Sequence, residues 1–407
     1  MPMKLLATLL CALSCSGVYA SKADAPSEPF RLVTSYSTAP PSSSVVGSAT
    51  SVVADCIFNN LGVSYELTQL PWLRAHMQLV TGRADGILPM INQPQLEEVA
   101  KRSAPFGLEK WYWFSKSDTP ITTLVRDKSL AIATLRGSNH ALWLARNGYI
   151  NVMEVESTSQ LSRLLDLGRV DAVFFELQWA LDAYGEQFGA GGSIKFHFER
   201  YAALGLYVAE ESLKRFPDFM RRFNREIEKC SPEWVALSDV EIELIKTTIF
   251  EPVRVTLGSS SVLKGALQAA ASQPASEVLA DLDDRWRAEL KSGDYNLIKQ
   301  VVENPLSLLL RQEVELQRGS ISELIVTDRF GANVAVSQPT SDYWQGDEIK
   351  FRSVVNSGYK TYFGPMQYDA STQKFQTQIS APILDEAGVF IGLLVMGVDV
   401  ERALEKL

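Results

Sequence analysis

Two groups of residues in the middle of the chain have the chemistry to hold a charged small molecule. Glu176 ends the predicted strand 170–176, where a carboxylate suits a cationic group because charge-assisted hydrogen bonds are the stronger kind. Gly137, Ser138 and Asn139 open the predicted helix "NHALWLARN", and the free N–H groups of a helix start favour an anion. Each group also has a structural interpretation: Glu176 as a solvated acid, and Ser138 and Asn139 as helix caps.

Aromatic and basic side chains on neighbouring segments are further candidates for lining a ligand cleft. Aromatic rings stack on flat or cationic groups, and an arginine can grip a carboxylate through two hydrogen bonds. Core packing is the default role of each aromatic residue, and a surface ion pair is the commoner role of an arginine on a helix. The candidates are Tyr36, Trp72, Arg74 and Trp111.

Net charge and the absence of known sequence motifs argue against several other kinds of site. The 407-residue chain has a net charge of -9 and no basic stripe, so we expect no nucleic-acid partner. Its three histidines lack metal-ligand spacing, and it has no P-loop, dinucleotide fingerprint or nucleophile motif. We therefore expect no metal, no cofactor and no enzyme.

The sequence Gly-Arg-x-Asp occurs twice, and this repeat indicates which strands and helices position the candidate binding residues. Each copy follows a segment of helical periodicity and runs into an apolar stretch of strand length. Gly82 and Gly168 stand where a helix would end in a left-handed residue, which glycine adopts at little steric cost. Asp85 and Asp171 then open strands. The repeat predicts two α/β lobes built alike.

The pattern of predicted elements divides the chain into regions of different character. Strands and helices alternate over 30–232, which favours mainly parallel sheets covered by helices. Residues 233–275 are predicted to form a helical or Ser- and Ala-rich linker. A long helix then leads into strands divided by turns over 276–407, which is typical of a separate α+β domain.

The N-terminus is typical of a secretory signal peptide. Residues 1–20 combine one lysine, a short apolar core and a small-residue cleavage site after Ala20, followed by a linker over 21–29. A lipoprotein signal using Cys15 is the less favoured alternative. We expect a periplasmic protein.

The two cysteines beyond this signal are Cys56 and Cys230. In an oxidising compartment they form either a disulfide or two separate thiols.

Two parts of the chain resemble known families. Residues 30–230 resemble the family 3 extracellular solute-binding proteins through "GRADGILPM", "SAPFG", "LRGSNHALWL", "GRVDAVFFE" and "GLYVAEESLKRFPDFM". Residues 276–407 look like a Cache, or PDC-type, sensor domain through "ELIVTDRFGANVAVSQPTSDYWQGDE", "YFGPMQYDASTQ" and "QISAPILDEAGVFIGLLVMGVDV". The fold class implied is a two-lobed α/β periplasmic-binding-protein clamshell of type II, followed by an α+β Cache-like domain with a long N-terminal helix.

The first resemblance implies roles for the cleft residues. Glu176 stands where amino-acid binders of the family hold the ligand's ammonium group. The arginine that grips the ligand's α-carboxylate in those proteins is missing here, because Gln95 and Leu96 occupy its region. Arg74 and Arg136 are possible substitutes. An ordinary free α-amino acid is therefore not the simplest ligand, and a small anion, a modified amino acid or a peptide-like compound stays open.

The second resemblance implies a second ligand pocket. An aromatic floor with an acidic rim would favour an amine, and the alternative is a protein-contact module without a ligand. The candidate residues are Tyr343, Trp344, Asp347, Tyr362 and Asp369.

Together these features predict a periplasmic binding protein for a small polar solute, either amino-acid-like or a small carboxylate. Its expected partner is an inner-membrane sensor kinase or cyclase. One alternative is uptake through an ABC permease. An alternative of another class is an exported dehydratase of the prephenate or arogenate type, with Glu176 as the general acid.

Overall fold

The computed structural model of the protein describes residues 28–35, 45–188, 192–230, 236–271, 279–369 and 374–405. The expected signal peptide, its cleavage site and Tyr36 lie outside these ranges. No helix within them is long and apolar enough to cross a membrane.

The first half of the chain alternates between strands and helices, as the sequence predicts. The first lobe begins with β1 Phe30–Thr34, α1 Val45–Leu61, β2 Tyr65–Gln69, α2 Trp72–Val80, β3 Gly86–Met90 and β4 Ala100–Arg102. Strand β5 (Gly107–Ser115) leads into the second lobe, which contains α3 Ile121–Leu124, β6 Ile132–Leu135, α4 Asn139–Arg146, β7 Val152–Val155, α5 Thr158–Asp166, β8 Ala172–Glu176 and α6 Leu177–Tyr184. The long strand β9 (Lys195–Ala209) returns to the first lobe, followed by α7 Glu210–Arg215 and α8 Phe219–Cys230.

Nine strands of the described residues form one sheet whose topology divides it into two lobes. The order is β2-β1-β3-β9-β5-β8-β6-β7, with β4 also paired to β9. Within each lobe the strands are parallel: β1 lies between β2 and β3, and β6 lies between β7 and β8. The crossing strands β5 and β9 are antiparallel to each other and to their neighbours β8 and β3. The sheet is therefore parallel within the lobes and antiparallel at the crossing.

The two Gly-Arg-x-Asp copies perform the same structural task in the two lobes. Asp85 accepts the N–H of Arg31 through Oδ2 at 2.9 Å and donates its own N–H to the Arg31 carbonyl at 2.7 Å. Asp171 makes the same pair of bonds with Ala131, at 3.0 and 2.8 Å. Each aspartate thus fastens the start of the third strand to the first strand of its lobe, beside a glycine whose φ is +70° or +60°.

The surroundings of the two aspartates nevertheless differ. Asp171 is exposed, whereas Asp85 is buried and also accepts bonds from Ser212 at 2.7 Å and from Arg215 at 2.8 Å. Burial raises the pKa of Asp85, but the hydrogen bonds from Arg31 and Ser212 and the charge of Arg215 outweigh it and lower that pKa to about 2. Asp85 therefore stabilises the first lobe in its ionised form.

A disulfide joins the start and the end of the first lobe. Cys56 on α1 and Cys230 at the end of α8 are bonded, and their Cα atoms lie 5.8 Å apart. The bond closes a loop of 174 residues that includes the whole second lobe. The two thiols are therefore not separate in the folded chain.

The segment expected to be a linker is a packed helical layer. It contains α9 Asp239–Ile245, five π-helical residues Lys246–Phe250, α10 Glu251–Gly258 and α11 Ser261–Ala271. Ile245, Phe250 and Leu267 are fully buried in a core shared with strands of both sheets. The Ser- and Ala-rich sequence predicted a linker. Its widely spaced apolar residues nevertheless give each helix one buried side.

The long helix expected after this segment is divided into three: α12 Leu279–Ser292, α13 Leu297–Val302 and α14 Pro305–Leu316. Gly293 at φ +78° ends the first, and Asn304 caps the third, whose first residue is Pro305. The chain then forms β10 Ile321–Asp328, β11 Asn333–Val336, α15 Ile349–Asn356, β12 Tyr362–Phe363, β13 Gln367–Asp369, β14 Lys374–Leu384, β15 Phe390–Asp399 and α16 Val400–Leu404.

The strands of this last region form an antiparallel sheet in the order β11-β10-β15-β14-β12, with β13 also paired to β14. Helix α14 packs against β10 and β11, and α15 packs against β14. The fold class predicted from the sequence, a two-lobed α/β sheet followed by an α+β region, is confirmed.

Candidate functional site

Two buried glutamates lie together where the crossing strand β5 meets the second lobe. Glu176, the last residue of β8, is directly opposite Trp111 of β5, and Glu109 precedes Trp111 by two residues on the same face. Diagonal neighbours of this kind are within reach of long side chains. Glu109 is 1% exposed and Glu176 is 7% exposed. The register of the sheet therefore brings two carboxyl groups into one dry place.

The two carboxyl groups differ in how they are held. Glu109 accepts the indole N–H of Trp111 at 2.8 Å and the amide of Asn139 at 3.2 Å. The Glu176 side chain accepts no hydrogen bond from the described residues. Burial, and secondly the charge of Glu109, raise the pKa of Glu176 well above its ordinary value, and no basic side chain offsets this rise. The pair therefore favours sharing a proton or binding a cation.

Glu109 was not predicted as a site residue. It stands in "GLEKWYWFS", which is otherwise typical of a buried strand. A lone acidic residue in such a strand is the signal that could have identified it, because buried charges need a partner or a function.

Polar groups of the turn before α4 form hydrogen bonds with other groups of the second lobe. Gly137 has φ +67° and donates its N–H to Glu154 at 3.3 Å. Ser138 caps the helix, accepting the Ala141 N–H at 3.2 Å. Ser138 therefore fits the capping interpretation and Asn139 supports Glu109, while anion binding at this helix start stays a prediction.

Trp111 is as deeply buried as Glu109, to which its indole donates. Its ring packs 4.7 Å from that of His140 and 5.8 Å from that of Phe174. Burial lowers the pKa of His140 to about 3, so its ring is neutral, and neither ring nitrogen has a partner among the described residues. The rings of His140 and Trp143 on α4 pack on Trp111, and its role as a ligand-lining residue stays a prediction.

The lobes touch each other at the opposite end of α4 from Asn139. Arg146 at the end of α4 donates to Oε1 of Gln93 at 3.2 Å, and Gln93 follows β3 of the first lobe. The Gln93 backbone N–H also donates to the hydroxyl of Tyr207 at 2.9 Å. Gln93 is buried, and its Nε2 has no partner among the described residues. An unpaired donor is thus present on the first-lobe side of the contact.

Of the first-lobe candidates, Trp72 begins α2, and its ring stacks on that of His76 with the ring centroids 5.4 Å apart. Its buried Nε1 has no hydrogen-bond partner in the described part of the chain. Arg74 is exposed on the same helix. Neither of these two residues has a described contact with the carboxylate pair.

The arginine that binds the ligand's carboxylate in the resembled family is missing here, and two nearby arginines have other partners. Arg136 forms an ion pair with Glu156 on the surface of the second lobe. Arg102 donates to the carbonyl of Ala203 at 2.7 Å on the neighbouring strand β9. Gln95 lies in a short 3-10 turn, Pro94–Leu96, whose last residue is buried. Arg136 and Arg102 are therefore held by groups other than Glu176.

The four candidates in the antiparallel region whose side chains are described do not line one common cavity. Tyr343 is buried and lines a cavity of about 690 Å³, which Trp344, Asp347 and Tyr362 do not line. Trp344 donates its indole N–H to the Phe330 carbonyl at 2.8 Å, and Asp347 is exposed. Tyr362 packs on the core beneath α15, and Asp369 ends β13 with a side chain that is not described.

A second buried acid, which the sequence interpretation missed, fastens the later helices to the crossing strands. Glu241 on α9 pairs with Lys110 of β5 and accepts the hydroxyls of Tyr112 at 3.1 Å and Tyr201 at 2.6 Å. The backbone N–H of Tyr201 on β9 donates to Glu401 of α16 at 2.9 Å. Both crossing strands are therefore bonded to the helical layer that leads to the antiparallel sheet.

No cluster of histidine, cysteine, aspartate and glutamate that could hold a metal ion occurs among the residues that the structure describes.

Comparisons with known proteins give likenesses of fold only. No protein-family model matches the chain, and no curated protein matches it. A mutant of ArgBP from T. maritima is 17% identical with a TM-score of 0.38, covering 50% of this chain and 95% of its own. A histidine kinase sensor domain with similarity to periplasmic binding proteins is 14% identical with a TM-score of 0.40, covering 51% and 96%.

A periplasmic His/Glu/Gln/Arg/opine family-binding protein from Silicibacter pomeroyi, in complex with lysine, is 17% identical with a TM-score of 0.38, covering 50% and 96%. At these identities and TM-scores the likenesses carry no argument about ligand or partner. The resemblance of residues 276–407 to Cache domains stays a prediction.

Proposed function

We propose that the chain is an exported solute-binding protein whose cleft holds the cationic group of a small solute between Glu109 and Glu176. The observation that carries the proposal is the burial of these two carboxyl groups side by side, with no basic side chain offsetting the raised pKa of Glu176.

The electrostatics of the pair select the charge of the ligand. Two ionised carboxylates in one dry place repel each other, so the empty site keeps one of them protonated. A ligand ammonium or guanidinium group replaces that proton and forms charge-assisted hydrogen bonds with both acids. An amino-acid-like or amine solute therefore fits the cleft, and a small carboxylate does not.

Export is supported by the disulfide between Cys56 and Cys230 together with the signal-like sequence of residues 1–20. A structural disulfide persists in an oxidising compartment such as the periplasm. We therefore assign the chain to that compartment.

Signalling is favoured over simple uptake because the lobes are not free of the later part of the chain. The crossing strands, which a hinged receptor bends when it closes, are bonded to α9 through Glu241 and to α16 through Glu401. A ligand that selects the closed form changes the strain on these bonds. The antiparallel region then presents the change to a membrane sensor kinase or cyclase, with an ABC permease as the alternative partner.

A dehydratase has one specific observation in its favour. Burial raises the pKa of the Glu176 carboxyl well above its ordinary value, the direction that a general acid requires. The adjacent Glu109 argues against it, because a prephenate-like diacid would bring further negative charge beside a buried carboxylate. Conversion of prephenate by the purified chain would establish this second candidate.

The test is calorimetric titration of residues 21–407 with agmatine, putrescine, lysine, arginine, glutamate and succinate. We expect saturable binding of at least one compound with a free cationic group and none of succinate. Glu109→Gln and Glu176→Gln should each weaken that binding, whereas the exposed Glu156→Gln on the same lobe should not. Tight succinate binding, or a cationic ligand that is indifferent to both cleft variants, would overturn the proposal.

A further inference from the structure

A cavity of about 690 Å³ lies far along the chain from the carboxylate cleft, between helix α11, helices α12–α14 and the β10–β11 hairpin. Its volume falls within the range of pockets that bind small molecules, about 300–1,000 Å³. The proposed function of the cleft does not use it.

One wall of the cavity exists because α11 presents small residues to it. Gly265, Ala266 and Ala270 line that side, and a Cβ built on Gly265 would meet no atom within 4 Å. The opposite side is formed by Leu297 and Val301 of α13, with other apolar residues of α12 and α14. The Gly- and Ala-rich sequence of α11, expected to belong to a linker, therefore forms one side of an apolar chamber.

The hairpin end of the cavity is polar. Its acceptors include Asp328, whose Oδ1 already accepts two backbone N–H groups of the hairpin turn, and the Tyr343 hydroxyl can donate as well as accept. Asn333 lines this end and is 2% exposed; its Nδ2 donates to Thr340 at 2.9 Å and to the Asp342 carbonyl at 3.0 Å. Because that amide group already faces two acceptors, Oδ1 of Asn333 is left without a partner among the described residues. The carboxylate of Asp328 and the ring of Tyr343 line the same part of the cavity.

We propose that this cavity is a second ligand site, for a small amphipathic amine. The apolar body of the ligand lies against α11 and α13, and its ammonium group donates to Oδ1 of Asn333 and to the carboxylate of Asp328. An ammonium group supplies three donors and a positive charge, so it satisfies both acceptors at once. A carboxylate of the same length would face Asp328 and an unpaired carbonyl oxygen.

The test uses n-hexylamine as the probe, titrated calorimetrically into residues 21–407 carrying Glu176→Gln, so that the cleft pair is disabled. We expect saturable binding of n-hexylamine, and at least tenfold weaker binding of hexanoate and of methylamine. Gly265→Leu places a side chain in the chamber and should weaken n-hexylamine binding at least tenfold. Its melting temperature should not fall, because leucine is the better helix former and Gly265 has open space beside it.

Gly258→Leu is the matched control, since Gly258 on α10 also has open space around its Cβ position but does not line the cavity. It should bind n-hexylamine as the parent does. The proposal is overturned by equal binding of hexanoate, by the absence of saturable n-hexylamine binding, or by binding that Gly265→Leu leaves unchanged. None of these outcomes bears on the cleft, whose test rests on Glu109 and Glu176.

Discussion

Replacing Glu176 by glutamine should make the ligand-free protein more stable while it weakens cation binding. Burial and the charge of Glu109 raise the pKa of Glu176, so the folded state holds its proton more tightly than the unfolded state does. The free energy of unfolding is therefore highest below the ordinary carboxyl pKa of 4.5 and falls as pH rises through the folded-state pKa. Glutamine removes this fall because its side chain has no proton to lose.

The size of the effect follows from the pH interval. Each pH unit over which the folded carboxyl keeps its proton while the unfolded one does not costs about 1.4 kcal/mol. From 4.5 to a working pH of about 7.5 the cost is at most about 4 kcal/mol. Since the buried amide of glutamine has its own desolvation cost, we expect a net gain of about 1–3 kcal/mol in the free energy of unfolding, or about 1–4 °C in melting temperature for a chain of this length.

Glu176→Gln should also raise the dissociation constant of the cationic ligand by about 10- to 150-fold, because a hydrogen bond to a charged group contributes about 1.5–3 kcal/mol. The assay is thermal unfolding from about pH 3 to 9 with and without ligand, compared with Glu156→Gln. The stability gain should shrink as pH falls through about 4.5 and vanish near pH 3, where the carboxyl is protonated in both states. A variant that is less stable than the parent at pH 7.5 and binds ligand equally well would refute the electrostatic argument.

Three further substitutions test the supports of the site. Removing the disulfide Cys56–Cys230 should lower the free energy of unfolding by about 2–5 kcal/mol, measured by melting with and without reductant, and an unchanged melting temperature would contradict this. Asp85→Asn should lower the free energy of unfolding by about 2 kcal/mol at neutral pH, measured by denaturant titration, and this difference from the parent should shrink as pH falls from about 4 towards 2. The matched substitution at the exposed Asp171, Asp171→Asn, should lower it by less. Glu241→Ala should cost about 3 kcal/mol because it leaves Lys110 without its partner, and faster proteolysis after α8 should accompany the loss.

The fold could be predicted because its signals are local. The helix stops at Gly82 and Gly168 and the aspartates that follow them are encoded within a few residues, and the structure gives both copies the same hydrogen bonds. The three-helix division of the region after residue 278 was missed, although Gly293 and Pro305 are breaking signals, because the apolar periodicity runs through them.

The candidate site was predicted only in part, because its geometry depends on strand register. Glu176 was identified from its position at a strand end. Its closeness to Glu109 follows from the pairing of Trp111 with Glu176 between strands that are more than 50 residues apart in the chain, which no local pattern encodes. Glu241 was missed for the same reason: its capping motif with Ser238 is local, but its partners on β5 and β9 are not.

The most direct test of the central claim is to count the protons released when a cationic ligand binds. Calorimetric titration in buffers of different ionisation enthalpy at about pH 7 measures this number. A ligand ammonium that replaces the proton shared by Glu109 and Glu176 should release close to one proton, and Glu176→Gln should abolish the release. Binding without any proton release, or release that survives in Glu176→Gln, would contradict the account.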